Sequence, residues 1–554
     1  MDYYFECHFE RNFTSLGTKL SEVTLEKLKF SEAKSFKFSK SKSFKLSFLY
    51  YFWRPITHSM KLVSKKWMYF LLAILLAVIG YWIVPSAVNP KAPIMAAIVI
   101  VMAVCWIFEI LPIAVTSLFP IFLFPLFGIL DAKDTAVFYG KEIIFLFLGG
   151  LMLAQGIQQS NLHQRLALRI VSIIGSKPAH LILGFMITTA FLSMWISNTA
   201  TVMVMMPIGI SIIEELKTGI TNGNKKLISR FAVALMLCIA YAADIGGMAT
   251  VIGTMPNMIF IEMYQTIFPD KAAIGFTQWM MMGLPIAITF IITGWLLLTK
   301  IIYRMPKDNL LKSNDVVKSQ LHGLGKITRD EALSGLVFFM AAVLWITGSD
   351  LRLSETITIQ GWRTVFGLEM ATDATIAIAA ATLLFLIPSK QRQGEMLLKW
   401  SHVHSLPWGV LLLFGGGFAI AGGFSSSGLS DVVGNLFAQM TFSSPVMMVI
   451  IVCVILTLLT EVTSNTATTN LVLPILAQAS IALNIDPILL MIPATLSASC
   501  AFMMPVASPT QAIIFGSGYV KIKQMIRAGI LFNILGVIIV TTIFFLLSKF
   551  VFGV

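Results

Sequence analysis

The residues best placed to do chemistry are two identical polar triplets set in apolar surroundings. Ser197-Asn198-Thr199-Ala200-Thr201 reappears as Ser464-Asn465-Thr466-Ala467-Thr468. Small polar residues that join membrane helices by hydrogen bonds account for a single Ser or Thr. They account less well for a triplet that occurs twice, because successive helical residues point about 100° apart and cannot face one neighbour together. A broken helix lets all three side chains and the freed N–H groups converge on a cavity. The half-helix after each triplet then presents an N-terminus with unpaired donors and partial positive charge, which favours a carboxylate. Two such ends suit a molecule with two carboxylates a short carbon chain apart. Neither triplet contains Arg or Lys, so the anion's charge must be offset another way. Freed carbonyls and hydroxyls beside the triplets can hold small cations, with Na⁺ the natural candidate. Cation binding would then build the anion site.

The triplets belong to an internal repeat. Ile143-Ile144-Phe145-Leu146-Phe147-Leu148-Gly149-Gly150 resembles Val410-Leu411-Leu412-Leu413-Phe414-Gly415-Gly416, and Gly253-Thr254-Met255-Pro256-Asn257 matches Ala507-Ser508-Pro509-Thr510-Gln511 in position. The three elements keep their order, and Gly149 to Ser197 is 48 residues while Gly415 to Ser464 is 49. Paired interrupted segments in corresponding halves point to a transport site near the bilayer midplane.

The surroundings of these elements are those of a membrane protein. Of 554 residues, 57% are hydrophobic and 12% charged, against about 25% charged in soluble domains. Apolar runs of roughly 18 to 25 residues recur from Trp67 onward, which predicts helices and not barrel strands. Counting each interrupted pair once gives an all-α polytopic fold of about 11 transmembrane helices. Two membrane halves are expected, 67–330 and 331–554, behind a tail at 1–66. The tail is basic and low in complexity, as in Ser35-Phe36-Lys37-Phe38-Ser39-Lys40, and is expected to be disordered and cytoplasmic. A basic-aromatic segment lying on anionic lipid is the other reading. The net charge of +13 does not imply nucleic acid, because Lys and Arg gather in the tail and in short loops, the positive-inside pattern. The five cysteines stand singly and read as small core hydrophobes. Metalloprotease, nucleophile-elbow and phosphate-loop motifs are absent, as is a channel filter, so an enzyme or channel is not expected.

The segment Ser193-Met194-Trp195-Ile196-Ser197-Asn198-Thr199 and its partner Thr460-Glu461-Val462-Thr463-Ser464-Asn465-Thr466 resemble the divalent anion:sodium symporter (DASS) family, from about Trp67 to the C-terminus. The resemblance implies a first sodium site from Ser193, Ser197, Asn198 and Gly253, and a second from Thr460, Thr463, Asn465 and Ala507. It places substrate carboxylates on Ser197, Asn198 and Thr199 and on Ser464, Asn465 and Thr466, with Thr254 and Pro509 lining the pocket. It further implies an inverted repeat with two broken helices, a scaffold and a transport domain, and two re-entrant hairpins with tips beside their own triplets. A homodimer in the plasma (inner) membrane, with a cytoplasmic N-terminus and an elevator movement, completes the expectation. The function implied is Na⁺-coupled symport of succinate, fumarate or malate. A sodium-independent dicarboxylate exchanger, or a sulfate or citrate transporter of the same fold, is the alternative. Three features depart from the family pattern: Met255, the run Ser508-Pro509-Thr510-Gln511, and Asp244 where an uncharged polar residue is usual. Asp244 either reaches the first cation site or sits solvated at the aqueous end of its helix. Glu109 and Glu461 read as structural carboxylates, and His163, His402 and His404 as solvated loop-edge residues without a role.

Overall fold

The computed structural model describes residues 65–86, 89–174, 177–219, 225–306, 315–352, 358–438 and 444–554. The expected tail therefore lies almost wholly outside the described residues. Seven described helices are long and apolar enough to cross a membrane, and six further apolar helices are shorter, at 10–17 residues. The difference from about 11 uniform spans has a physical cause, since several spans are assembled from short pieces. Strand pairing among the described residues is confined to an antiparallel ribbon, Leu351–Arg352 with Thr358–Ile359, and an isolated bridge between Pro388 and Met396.

The two halves repeat one order of elements. The first runs α1 (Glu142–Gln159), α2 (Leu162–Ile174), α3 (Pro178–Ser193), α4 (Asn198–Gly219), α5 (Lys225–Gly247) and α6 (Met255–Ile267). The second runs α7 (Trp408–Ser427), α8 (Leu429–Ala438), α9 (Pro445–Thr460), α10 (Asn465–Ala482), α11 (Ile488–Ala498) and α12 (Pro509–Gly516). Helices α3 and α9 each have 16 residues and start with Pro at the first turn. At 1.5 Å per residue they reach about 24 Å, short of an apolar core about 30 Å thick. Neither is long enough to cross such a core alone, and each ends four residues before its triplet begins.

Helix pairs α1–α2 and α7–α8 are hairpins. Asn161 (φ 62°) turns the first and Gly428 (φ 71°) the second, both left-handed positions that Asn and Gly tolerate best. Near the first turn, Ile157 and Leu162 share an apolar cluster with Ile196, the neighbour of Ser197. At the second, Phe424 and Leu429 cluster with Ala467. The halves interlock: α6 packs against α10, and α12 against α4 and α5. Helix α5 is buried without interruption from Phe231 to Gly247, as expected of a helix apolar all round. Asp244 rides on this helix at 1% exposure, so the solvated reading of that residue is wrong.

Candidate functional site

Between α3 and α4 the chain leaves the helix over 194–197, and between α9 and α10 over 461–464. The two breaks are held the same way. Ser193 Oγ lies 2.7 Å from both Asn198 Oδ1 and the Ala243 carbonyl. Thr460 Oγ1 lies 2.6 Å from Asn465 Oδ1 and 2.8 Å from the Ala498 carbonyl. Each half thus gathers a hydroxyl, an amide oxygen and a backbone carbonyl, the ligand chemistry that hard cations take. Gly247 keeps the first cluster open. A Cβ there would stand 2.7 Å from Asn198 Oδ1 and 3.1 Å from the Gly253 carbonyl, so only glycine lets the two oxygens come this close to α5.

The loops that return to the breaks are pinned differently. In the first half Thr250 Oγ1 donates to the Met194 carbonyl at 2.5 Å, and Asn257 Nδ2 donates to the carbonyls of Thr250 (2.7 Å) and Gly247 (3.1 Å). In the second half the work falls to Glu461, 2% exposed. Its carboxylate accepts from the N–H groups of Phe502, Met503 and Met504 at 2.8–3.0 Å and from Asn533 Nδ2 at 2.7 Å. Burying a carboxylate is costly unless its oxygens are satisfied, and here four donors satisfy it.

These elements surround one cavity of about 430 Å³. Four helices begin at its wall, after Ser197 (α4), Ser464 (α10), Thr254 (α6) and Ser508 (α12). The two N-termini expected from the triplets are therefore joined by two more, contributed by the returning loops. Thr254 and Ser464 make no side-chain cap bond to their own helices, which leaves their hydroxyls available to a ligand. Among the described residues the lining contains no Lys, Arg or His; the charged residues in it are Asp244 and Glu109.

Of the expected site residues, Ser197, Asn198, Thr199, Gly253, Thr254, Ser464, Asn465, Thr466, Ala507 and Pro509 line this cavity. Ser193 and Thr460 lie just behind it, fully buried. Thr463 turns elsewhere, its Oγ1 2.8 Å from the Leu459 carbonyl and 2.5 Å from Thr468 Oγ1. The departures from the family pattern all come to this place. Met255 lines the cavity and its sulfur sits 3.2 Å from Thr466 Oγ1. Asp244 receives Asn198 Nδ2 at 3.1 Å, Thr510 Oγ1 at 2.9 Å, Gln511 Nε2 at 3.3 Å and Ser508 Oγ at 3.4 Å. His163, expected to be solvated, is 6% exposed and faces the Ile157 carbonyl at 3.2 Å.

Repeated halves, interrupted helices and a cavity between them onto which four helix N-termini open are the architecture of a membrane transporter. Residues 63–554 match the sodium:sulfate symporter transmembrane region. The chain belongs to that family, the divalent anion:sodium symporters, and is a transporter and not an enzyme. It is 40% identical over 474 residues to the sodium-dependent dicarboxylate transporter SdcS of Staphylococcus saprophyticus, covering 85% of this chain and 89% of that one. It is 42% identical over 472 residues to SdcS of Staphylococcus aureus strain MRSA252, covering 85% and 88%. In fold alone it resembles the YdaH transporter of Alcanivorax borkumensis (TM-score 0.52, 13% identity, 87% of this chain and 97% of that one).

Proposed function

We propose that this protein imports C4 dicarboxylates such as succinate, fumarate and malate, driven by Na⁺ moving in the same direction. The observation that carries the reading is the charge of the cavity. Four helix N-termini face it, yet among the described residues its lining holds two carboxylates and no basic side chain. Partial charges at helix ends favour carboxylates but leave a bound dianion without a formal counter-charge. Cations must enter with it, and the oxygen clusters at Ser193/Asn198 and Thr460/Asn465 are where they fit. The names of the SdcS relatives point the same way.

In this reading Na⁺ is held by Ser193, Ser197, Asn198 and Gly253 on one side and by Thr460, Thr463, Asn465 and Ala507 on the other. Thr463 must turn from Thr468 to take part. Substrate carboxylates meet Ser197, Asn198, Thr199, Ser464, Asn465 and Thr466, with Thr254 and Pro509 at the edge. Asn198 and Asn465 each serve both ligands: the side-chain oxygen belongs to the cation cluster while the backbone opens the helix that faces the anion. A filled cation site fixes the amide and so builds the anion site, which is the coupling. The hairpins α1–α2 and α7–α8 would be re-entrant and move with α3–α6 and α9–α12 as a transport domain. That domain would slide as an elevator against a scaffold, in a homodimer of the plasma membrane whose N-terminus is cytoplasmic.

The test is succinate uptake into proteoliposomes, with and without an inward Na⁺ gradient, at fixed pH and with no counter-substrate. Uptake that requires Na⁺ and concentrates succinate supports the reading. Uptake indifferent to Na⁺ but driven by internal dicarboxylate makes the protein an exchanger, and preference for sulfate or citrate reassigns the substrate.

A further inference from the structure

The two oxygen clusters are near-copies, but what stands beside them is not. Ser193 and Thr460 reach the carbonyls of Ala243 and Ala498, so the next residues, Asp244 and Ser499, occupy corresponding places. Ser499 is buried at 1% exposure with its hydroxyl unpartnered. On the other side the same place carries a carboxylate. Asp244 is equally buried, in the most enclosed helix of the fold.

All four of its partners are neutral. Asn198 comes from the first half, and Ser508, Thr510 and Gln511 from the second. Donors are fewer than the contacts suggest, because Ser508 Oγ and Thr510 Oγ1 lie 2.6 Å apart and one of them spends its proton on the other. The result is a knot of oxygens: two from the carboxylate and two hydroxyls with lone pairs to spare. Gln511 stands beside them. It is 0% exposed, donates its amide nitrogen to Asp244, and leaves Oε1 with no partner. A buried anion without a cationic partner, beside an unsatisfied buried acceptor, is what a bound cation resolves.

We propose that Asp244, Ser508, Thr510 and Gln511 form a third cation position, between the two halves, that takes a monovalent ion of Na⁺ type. It rests on the Na⁺-coupled reading above and goes beyond it, adding an ion that neither triplet holds. A hard oxygen donor set selects an alkali or alkaline-earth cation over a transition metal, and a single formal charge suits a monovalent one. The position spans the halves, so filling it draws the α12 loop toward α5, next to Asn198. The third ion and the first cluster are thereby coupled through one amide.

The experiment is equilibrium binding of radiolabelled Na⁺ to the purified full-length protein, without substrate, for wild type, Asp244→Asn, Asp244→Glu and Thr510→Val. Asp244→Asn is expected to bind one Na⁺ fewer per protomer at saturation, and Asp244→Glu to restore the number. Thr510→Val is expected to keep the number and raise the half-saturating Na⁺ concentration several-fold for one ion. An Asp244→Asn protein with the wild-type number and affinity overturns the proposal while leaving the two-site reading intact. If Asp244→Asn is not recovered folded, unchanged Na⁺ affinity in Thr510→Val overturns it instead. Wild-type protein that binds no Na⁺ defeats this proposal and the coupled reading together.

Discussion

Glu461→Gln tests whether the second cation cluster depends on one buried carboxylate. Oε1 accepts from Phe502 N, Met503 N and Asn533 Nδ2, and Oε2 from Met503 N and Met504 N. A glutamine keeps the shape and one oxygen. Its NH₂ must then point at the Met504 N–H, so one bond is lost outright and the others fall from charged to neutral strength. Bonds to a charged group contribute about 1.5–3 kcal/mol and neutral ones about 1 kcal/mol, so the loss sums to about 3–9 kcal/mol, and the lighter desolvation cost of a neutral side chain offsets part of it, leaving a net cost toward the lower end of that range. Asn533→Ala removes a single donor to the charged carboxylate and should cost about 1.5–3 kcal/mol. The assay is thermal unfolding of the detergent-solubilised protein beside its half-saturating Na⁺ concentration. The segment Phe502–Met504 leads into Ala507, a proposed Na⁺ ligand, so Glu461→Gln should lower the unfolding temperature and weaken Na⁺ binding together. A mutant that unfolds with wild-type protein and binds Na⁺ equally well refutes the reasoning.

Asn198→Ala and Asn465→Ala should each abolish uptake, since each removes an amide oxygen from a cation cluster; normal transport at normal surface expression in either would sink the assignment. Gly247→Ala puts a methyl 2.7 Å from Asn198 Oδ1 and should raise the half-saturating Na⁺ concentration without changing expression, read by Na⁺-dependent uptake. Met255→Ala frees Thr466 Oγ1 from its sulfur neighbour and widens the cavity. Competition of citrate against succinate uptake should therefore strengthen, and an unchanged inhibition profile would show that Met255 does not set substrate size.

The triplets were legible in the sequence because they are repeated, local and polar in an apolar context. The broken helices followed from the same triplets, since three successive polar side chains cannot face one neighbour on a continuous helix. Hidden were contacts made across the chain. The partners of Asp244 in the second half lie 264 to 267 positions away, so sequence left that residue between a site role and a solvated one. The resemblance put Thr254 and Pro509 at the pocket, but that helices start there and open onto the cavity was not read from the sequence, for a similar reason. Nothing local says that a returning loop ends at the cavity its own half opens. Thr463 illustrates the converse: its position in the motif made it a ligand candidate, while its hydroxyl is engaged within the helix break by Leu459 and Thr468.

Membrane voltage gives the third cation a consequence for the whole cycle. A charge crossing 100 mV gains or loses about 2.3 kcal/mol, so a dianion entering an inside-negative compartment alone faces about twice that. Helix ends do not remove this cost, because their charges are dipolar and sum to nothing over each helix. In the proposed cycle two Na⁺ would cancel the substrate's charge but leave that of Asp244, which would add one negative charge to those the moving unit already carries. A third ion beside Asp244 would cancel that carboxylate's charge and remove its share of the electrical cost of the loaded step, while the buried Glu461 keeps its own charge in both steps. The empty carrier then returns with the bare carboxylate, and an inside-negative potential pushes that charge outward, back to the side where substrate waits. In that cycle, an ion that pairs with Asp244 only in the loaded carrier would shift part of the work of the voltage from the loaded step to the return step.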